Sequence, residues 1–157
     1  MMPDSSQSQR SDTAERFGSI GGLLLGVAGL AYLILSDSIL TPNPFVIVVQ
    51  CCAIALMIWA RITFGRRSFH AAANPTEGEL VRIGPYRYWR HPIYASIIYF
   101  GWACVVSHAH VMTMVAGVAL TSGLFIRMLL EERLLRRKYP EYTAYMATTG
   151  RFIPGLL

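Results

Sequence analysis

Charge is scarce in this chain. Of its 157 residues only 15% are charged, and acids are the rarer kind, 9 against 14 bases. Soluble domains carry about a quarter charged residues, and disordered chains combine low hydrophobicity with high net charge. A composition 54% hydrophobic, with mean hydropathy +0.41, excludes both as descriptions of the whole chain. Cysteine is sparse too. Cys51, Cys52 and Cys104 form no CxxC pair and no secreted disulfide framework, and all three read as small buried hydrophobes inside apolar runs. The length allows one compact unit, and the net charge of +5 leaves three explanations: nucleic acid, an anionic membrane surface, or an internal asymmetry.

What is present in place of charge is long apolar runs. Phe17–Leu35 has no ionisable group except Tyr32 and, at about 1.5 Å per residue, reaches roughly 28 Å. That matches a hydrocarbon core. Residues 45–60 hold one strongly polar side chain, Gln50, and extend through 61–65 if Arg61 snorkels. Pro92–Ser107 and 111–126 are two further runs, joined by His108-Ala109-His110 into a tight helical hairpin. The expected fold is therefore an all-α integral membrane bundle of four transmembrane helices. Residues 1–16 read as an irregular polar tail, 17–65 as two N-terminal spans, and 66–157 as a second half with a connector, the hairpin and a C-terminal helix and loop cap.

The basic residues fall in three blocks: Arg10 and Arg16; the six from Arg61 to Arg90; and the six from Arg127 onward. The connectors 36–44 and 107–110 have none. With four spans, all three blocks share one side, which the positive-inside rule makes cytoplasmic, together with both termini. The basic excess is thus an orientation signal, and nucleic acid is not an expected partner. A cleaved signal peptide is disfavoured by the length of the first run and by the poor site at Ser36-Asp37-Ser38.

No Asp, Glu, Lys, Arg or His stands in the middle of a span, which argues against a proton-coupled exporter. His70, His91, His108 and His110 lie at or beyond span ends, which argues against a bis-histidine haem. His108 and His110 are two ligands, too few for a metal site, so no metal is expected. Gly18, Gly22 and Gly26 repeat every fourth residue, a stripe that lets another helix approach closely, either inside the bundle or across a homodimer seam.

Two segments carry more than orientation requires. In 78–94, Gly84-Pro85 forces a turn, Tyr86, Tyr88 and Trp89 suit an interface, and Pro92 is placed to open a helix at its first position. His91 is held out of helical geometry by that proline. A helix N-terminus with free N–H groups beside a histidine suits a carboxylate; an aromatic belt with no ligand is the other reading. In 127–145, Arg127 and Glu131 share a helix face, and Glu132 begins the next. An acidic pair at a membrane edge is costly unless solvated, paired or used to hold a cation. Pro140 then ends the helix, and residues 148–154 read as a loop.

Gly84-Pro85-Tyr86, then Arg90-His91-Pro92-Ile93-Tyr94, then, after one hairpin, Glu131-Glu132, the YPEYTAY run at 139–145 and Arg151-Phe152-Ile153-Pro154 together resemble the isoprenylcysteine carboxyl methyltransferase family, itself related to membrane phospholipid methyltransferases. The resemblance covers about residues 80–154. It implies a helical membrane enzyme that takes S-adenosyl-L-methionine from the cytosol and methylates a lipophilic or lipidated acceptor arriving through the bilayer. By position it implies that Gly78, Glu79, Leu80, Val81 and Tyr86 line the cofactor, that His91, Pro92, Ile93 and Tyr94 contact it, and that Glu131 and Glu132 hold its polar end. Arg127 and Arg151 would engage the substrate. Ser96 stands where the family often has glycine. Carboxyl O-methylation of an isoprenylcysteine-like substrate is the leading expectation; the alternatives are phospholipid N-methylation, thiol S-methylation and non-catalytic lipid binding.

Overall fold

The computed structural model describes residues 5–65 and 80–156; within the first helix, side chains are described at Glu15 and from Phe17 onward. Five α-helices carry the described chain: α1 (Ser5–Leu35), α2 (Pro44–Phe64), α3 (Pro92–Ser107), α4 (Val111–Lys138) and α5 (Tyr142–Met146), with a 3-10 turn at Gly84–Arg87. No strand occurs among the described residues; one isolated parallel bridge joins Trp89 to Gly150.

The helix ends follow from local chemistry. Asn43 caps α2 by accepting from the Phe45 N–H at 3.0 Å, with Pro44 at the first helical position. Pro92 opens α3 as its spacing predicts, behind His91 at φ −127°, ψ 60°. The 3-10 turn needs Gly84 at φ +58°, a region that penalises side chains. α4 runs unbroken from the hairpin through Lys138 and stops before Pro140. α1 starts at Ser5, not at Phe17, so most of the segment read as an irregular tail is helical. No proline or glycine interrupts residues 5–17, and a helix already nucleated in an apolar span propagates cheaply. Glu15 anchors this extension through Arg137, at 2.9 and 3.2 Å.

α1, α2 and α4 are long and apolar enough to cross a membrane; α3 is a shorter apolar helix of 16 residues. Their outer faces are unlike those of a soluble bundle. Leu24, Ile54, Ile58, Val115 and Val118 are all exposed. Cys51 and Cys52 also lie on this exposed surface, which corrects their reading as buried; only Cys104 is internal. Inside, Leu33, Ile98, Cys104, Val105, Ala116, Leu120 and Leu124 form the core. Gln50, the polar residue of the second run, is buried and donates to the Ile39 carbonyl at 3.0 Å.

α1 packs most extensively on α4, and α2 on α3, so the first helix pairs with the last long one and not with its neighbour in sequence. Glycine makes the α1–α4 contact as close as backbones allow. A Cβ on Gly123 would lie 2.4 Å from the Gly22 carbonyl oxygen, and one on Gly22 would lie 2.7 Å from the Gly123 oxygen. Gly18 faces Leu130 and Gly26 faces Leu124. The Gly18, Gly22 and Gly26 stripe is therefore occupied within the chain, by α4.

Candidate active site

Glu131 and Glu132 organise the site, and because consecutive helical residues point about 100° apart they organise different halves of it. Glu131 accepts a 2.7 Å hydrogen bond from the Tyr94 hydroxyl and pairs with Arg127 at 3.3 Å. Arg127 Nε donates to the same Tyr94 oxygen at 2.6 Å, and Arg127 Nη1 donates to Ser19 Oγ of α1 at 3.3 Å. Three helices thus hold one guanidinium that is only 4% exposed.

Glu132 is fully buried and faces Arg90 (3.2 Å), Arg151 (3.3 Å) and Arg136 (3.7 Å). A buried carboxylate without such partners costs several kcal/mol. His91 lies between the two halves, with Nε2 3.5 Å from Glu132 and Nδ1 3.8 Å from Glu131, and its ring stacks on Tyr94 with centroids 5.6 Å apart. Four arginines against two glutamates leave the cluster cationic by two before His91 is counted.

The C-terminal segment closes this arrangement. Arg90 N–H donates to the Gly150 carbonyl at 2.7 Å, and Gly150 N–H to the Tyr88 carbonyl at 3.1 Å. Tyr99 donates to the Phe152 carbonyl. Tyr145 Oη donates to the Tyr86 carbonyl at 2.6 Å; burial pushes its pKa up to about 12, so it stays a neutral donor. Burial likewise raises Tyr86 and Tyr142 well above an ordinary phenol. The loop expected at 148–154 is therefore a docked strap, held at the start of α3.

Most residues expected at the site converge on it. Arg127, Glu131, Tyr94 and His91 meet directly; Pro92 is buried and Ile93 half-buried in the first turn of α3; Tyr86 is buried against Phe64, with ring centroids 5.3 Å apart. Leu80 and Val81 are half-buried in the irregular segment before the 3-10 turn, and Gly78 and Glu79 lie outside the described residues. Arg151, expected on substrate, and Glu132, expected on cofactor, pair with each other at 3.3 Å. Sequence reasoning missed Arg90, whose signal was its place inside the Arg-His-Pro motif, and Ser19, which stood beside the glycine stripe without any mark of its own. Ser96, in place of glycine, is accommodated: its hydroxyl donates to the Ile93 carbonyl at 2.7 Å within its own helix.

A family model, that of the isoprenylcysteine carboxyl methyltransferases, matches residues 45–137, more than half of the chain, from the start of α2 almost to the end of α4. The chain belongs to the isoprenylcysteine carboxyl methyltransferase family. The comparison with curated proteins gives no match. Members of the isoprenylcysteine carboxyl methyltransferase family are S-adenosylmethionine-dependent methyltransferases. The matched stretch contains Arg90 to Tyr94, Arg127, Glu131 and Glu132. Helix α1 and the C-terminal strap lie outside it, yet bring Ser19 and Arg151 to the same cluster.

Proposed function

We propose that the chain is an S-adenosylmethionine-dependent enzyme that O-methylates the carboxylate of a lipophilic, isoprenylcysteine-like acceptor at the cytoplasmic membrane face. In this reading four helices cross the bilayer and both termini are cytoplasmic. The observation that carries it is the buried Arg127 guanidinium, steadied by Tyr94, Glu131 and Ser19, in a cluster with a cationic surplus. An anionic acceptor suits that surplus; a protonated amine does not.

The residues also fit the cofactor. Among the described residues Trp89 Nε1 is buried without a hydrogen-bond partner, and α3 begins without a side-chain cap, so its first N–H groups are available to a carboxylate. Glu131, with its side chain 22% exposed, is the carboxylate available to a cationic or hydroxyl-bearing ligand. His91, Ile93, Tyr94 and Glu131 would hold the cofactor. When bound, S-adenosylmethionine supplies a sulfonium-activated methyl group.

The protein's remaining work is positional. A carboxylate is ionised near neutral pH and needs no general base. Arg127 orients it, the apolar faces of the neighbouring helices receive its lipophilic tail, and the docked strap helps to exclude water. Methyl transfer from labelled cofactor to an S-prenylated N-acetylcysteine tests the proposal. Arg127→Ala and Glu131→Ala should each lower kcat/KM by about 100-fold or more. Wild-type turnover in both variants, or methylation of phosphatidylethanolamine in preference to the carboxylate, would overturn it.

A further inference from the structure

We infer that Ser19 of α1 is a positioning residue that sets the Arg127 guanidinium for the acceptor carboxylate. The inference rests on the acceptor role proposed for Arg127. Tyr94 and Glu131 take Nε and Nη2 of Arg127, which belong to one edge of the planar group, while Ser19 takes Nη1 on the other side. A contact at Nη1 adds a restraint on the tilt of that plane to those on the other edge.

A serine side chain has little reach, so this contact exists only because α1 lies against the α4 backbone. One turn along from Ser19, a Cβ on Gly22 would stand 3.3 Å from the Arg127 backbone nitrogen and 2.7 Å from the Gly123 oxygen. Ser19 itself is fully buried, and its hydroxyl finds a charged partner there. The helix that supplies it lies outside residues 45–137, so the chain completes a site carried by the matched segment with a residue from beyond it.

A small residue is also what close helix packing needs, and Ser19→Ala separates the two roles, because alanine keeps the packing and removes the oxygen. The full-length protein is assayed in detergent with an S-prenylated N-acetylcysteine as acceptor. Ser19→Ala should raise the acceptor KM by about 3–10-fold, with kcat changed by less than about 2-fold and S-adenosylhomocysteine affinity unchanged. In an Arg127→Lys background, where the Nη1 contact is gone, Ser19→Ala should move KM by less than about 2-fold. An unchanged KM in Ser19→Ala, while Arg127→Ala destroys kcat/KM, overturns the role of Ser19 and leaves the acceptor reading standing. An equal KM rise in both backgrounds overturns it as well, by assigning the effect to packing. Wild-type kcat/KM in Arg127→Ala removes the acceptor reading and this inference with it.

Discussion

Glu131 and Glu132 sit next to each other in sequence and answer to different neighbours. Glu132 has four basic residues around it and no exposure, so its loss leaves the buried Arg90 guanidinium without its carboxylate. Glu132→Gln should destabilise the protein by about 3–5 kcal/mol, read as a fall in the unfolding midpoint in detergent. Glu131→Gln, at a partly exposed position whose amide oxygen can still accept from Tyr94 and Arg127, should cost less, about 1–2 kcal/mol, while depressing turnover, so stability and turnover are weighted differently at adjacent residues. The acidic pair was visible in the sequence, as was the Arg127–Glu131 spacing. Their division of labour was not, because Arg90, His91 and Arg151 reach Glu132 from segments that only the fold brings together.

At the scale of elements, the pairing of α1 with α4 decides the position of the site. Gly123→Ala would force α1 and α4 apart, since the added carbon would meet the Gly22 oxygen and the Gly26 nitrogen at 2.4 and 2.5 Å. A loss of about 1–3 kcal/mol and reduced activity are expected, against no effect beyond a few tenths of a kcal/mol for Gly21→Ala, whose Cβ meets nothing within 4 Å. Thermal unfolding of the two variants side by side is the check. The glycine spacing advertised close packing, but a repeat on one helix carries no record of which helix it meets. Gly84-Pro85, Pro92 and Pro140 were legible for the opposite reason: each acts on its own backbone. Hydropathy likewise located the span of α1 at Phe17 and missed the turns before it, because it registers the apolar part of a helix and not the helix itself.

For the whole molecule, the distribution of basic residues is the feature most easily put to trial. The proposed orientation expects reporter fusions at the N- and C-terminus to report the cytoplasm, and a reporter inserted in the bare connector at 36–44 to report the other side. Termini on opposite sides would mean an odd number of crossings and would remove α3 as a span. The all-helical architecture was legible from four apolar runs. The docking of the C-terminal strap was not, because a backbone bridge such as Trp89 to Gly150 leaves no side-chain signature.

The α1–α4 contact also sets a timetable. α1 precedes α4 in the chain, so the glycine face of α1 lacks the partner it packs against until α4 has been made. Only then does Arg127 meet Ser19. In a ribosome-bound intermediate that stops short of α4, Ser19 has no guanidinium to meet, so the contact between them forms only once α4 is in place and not before.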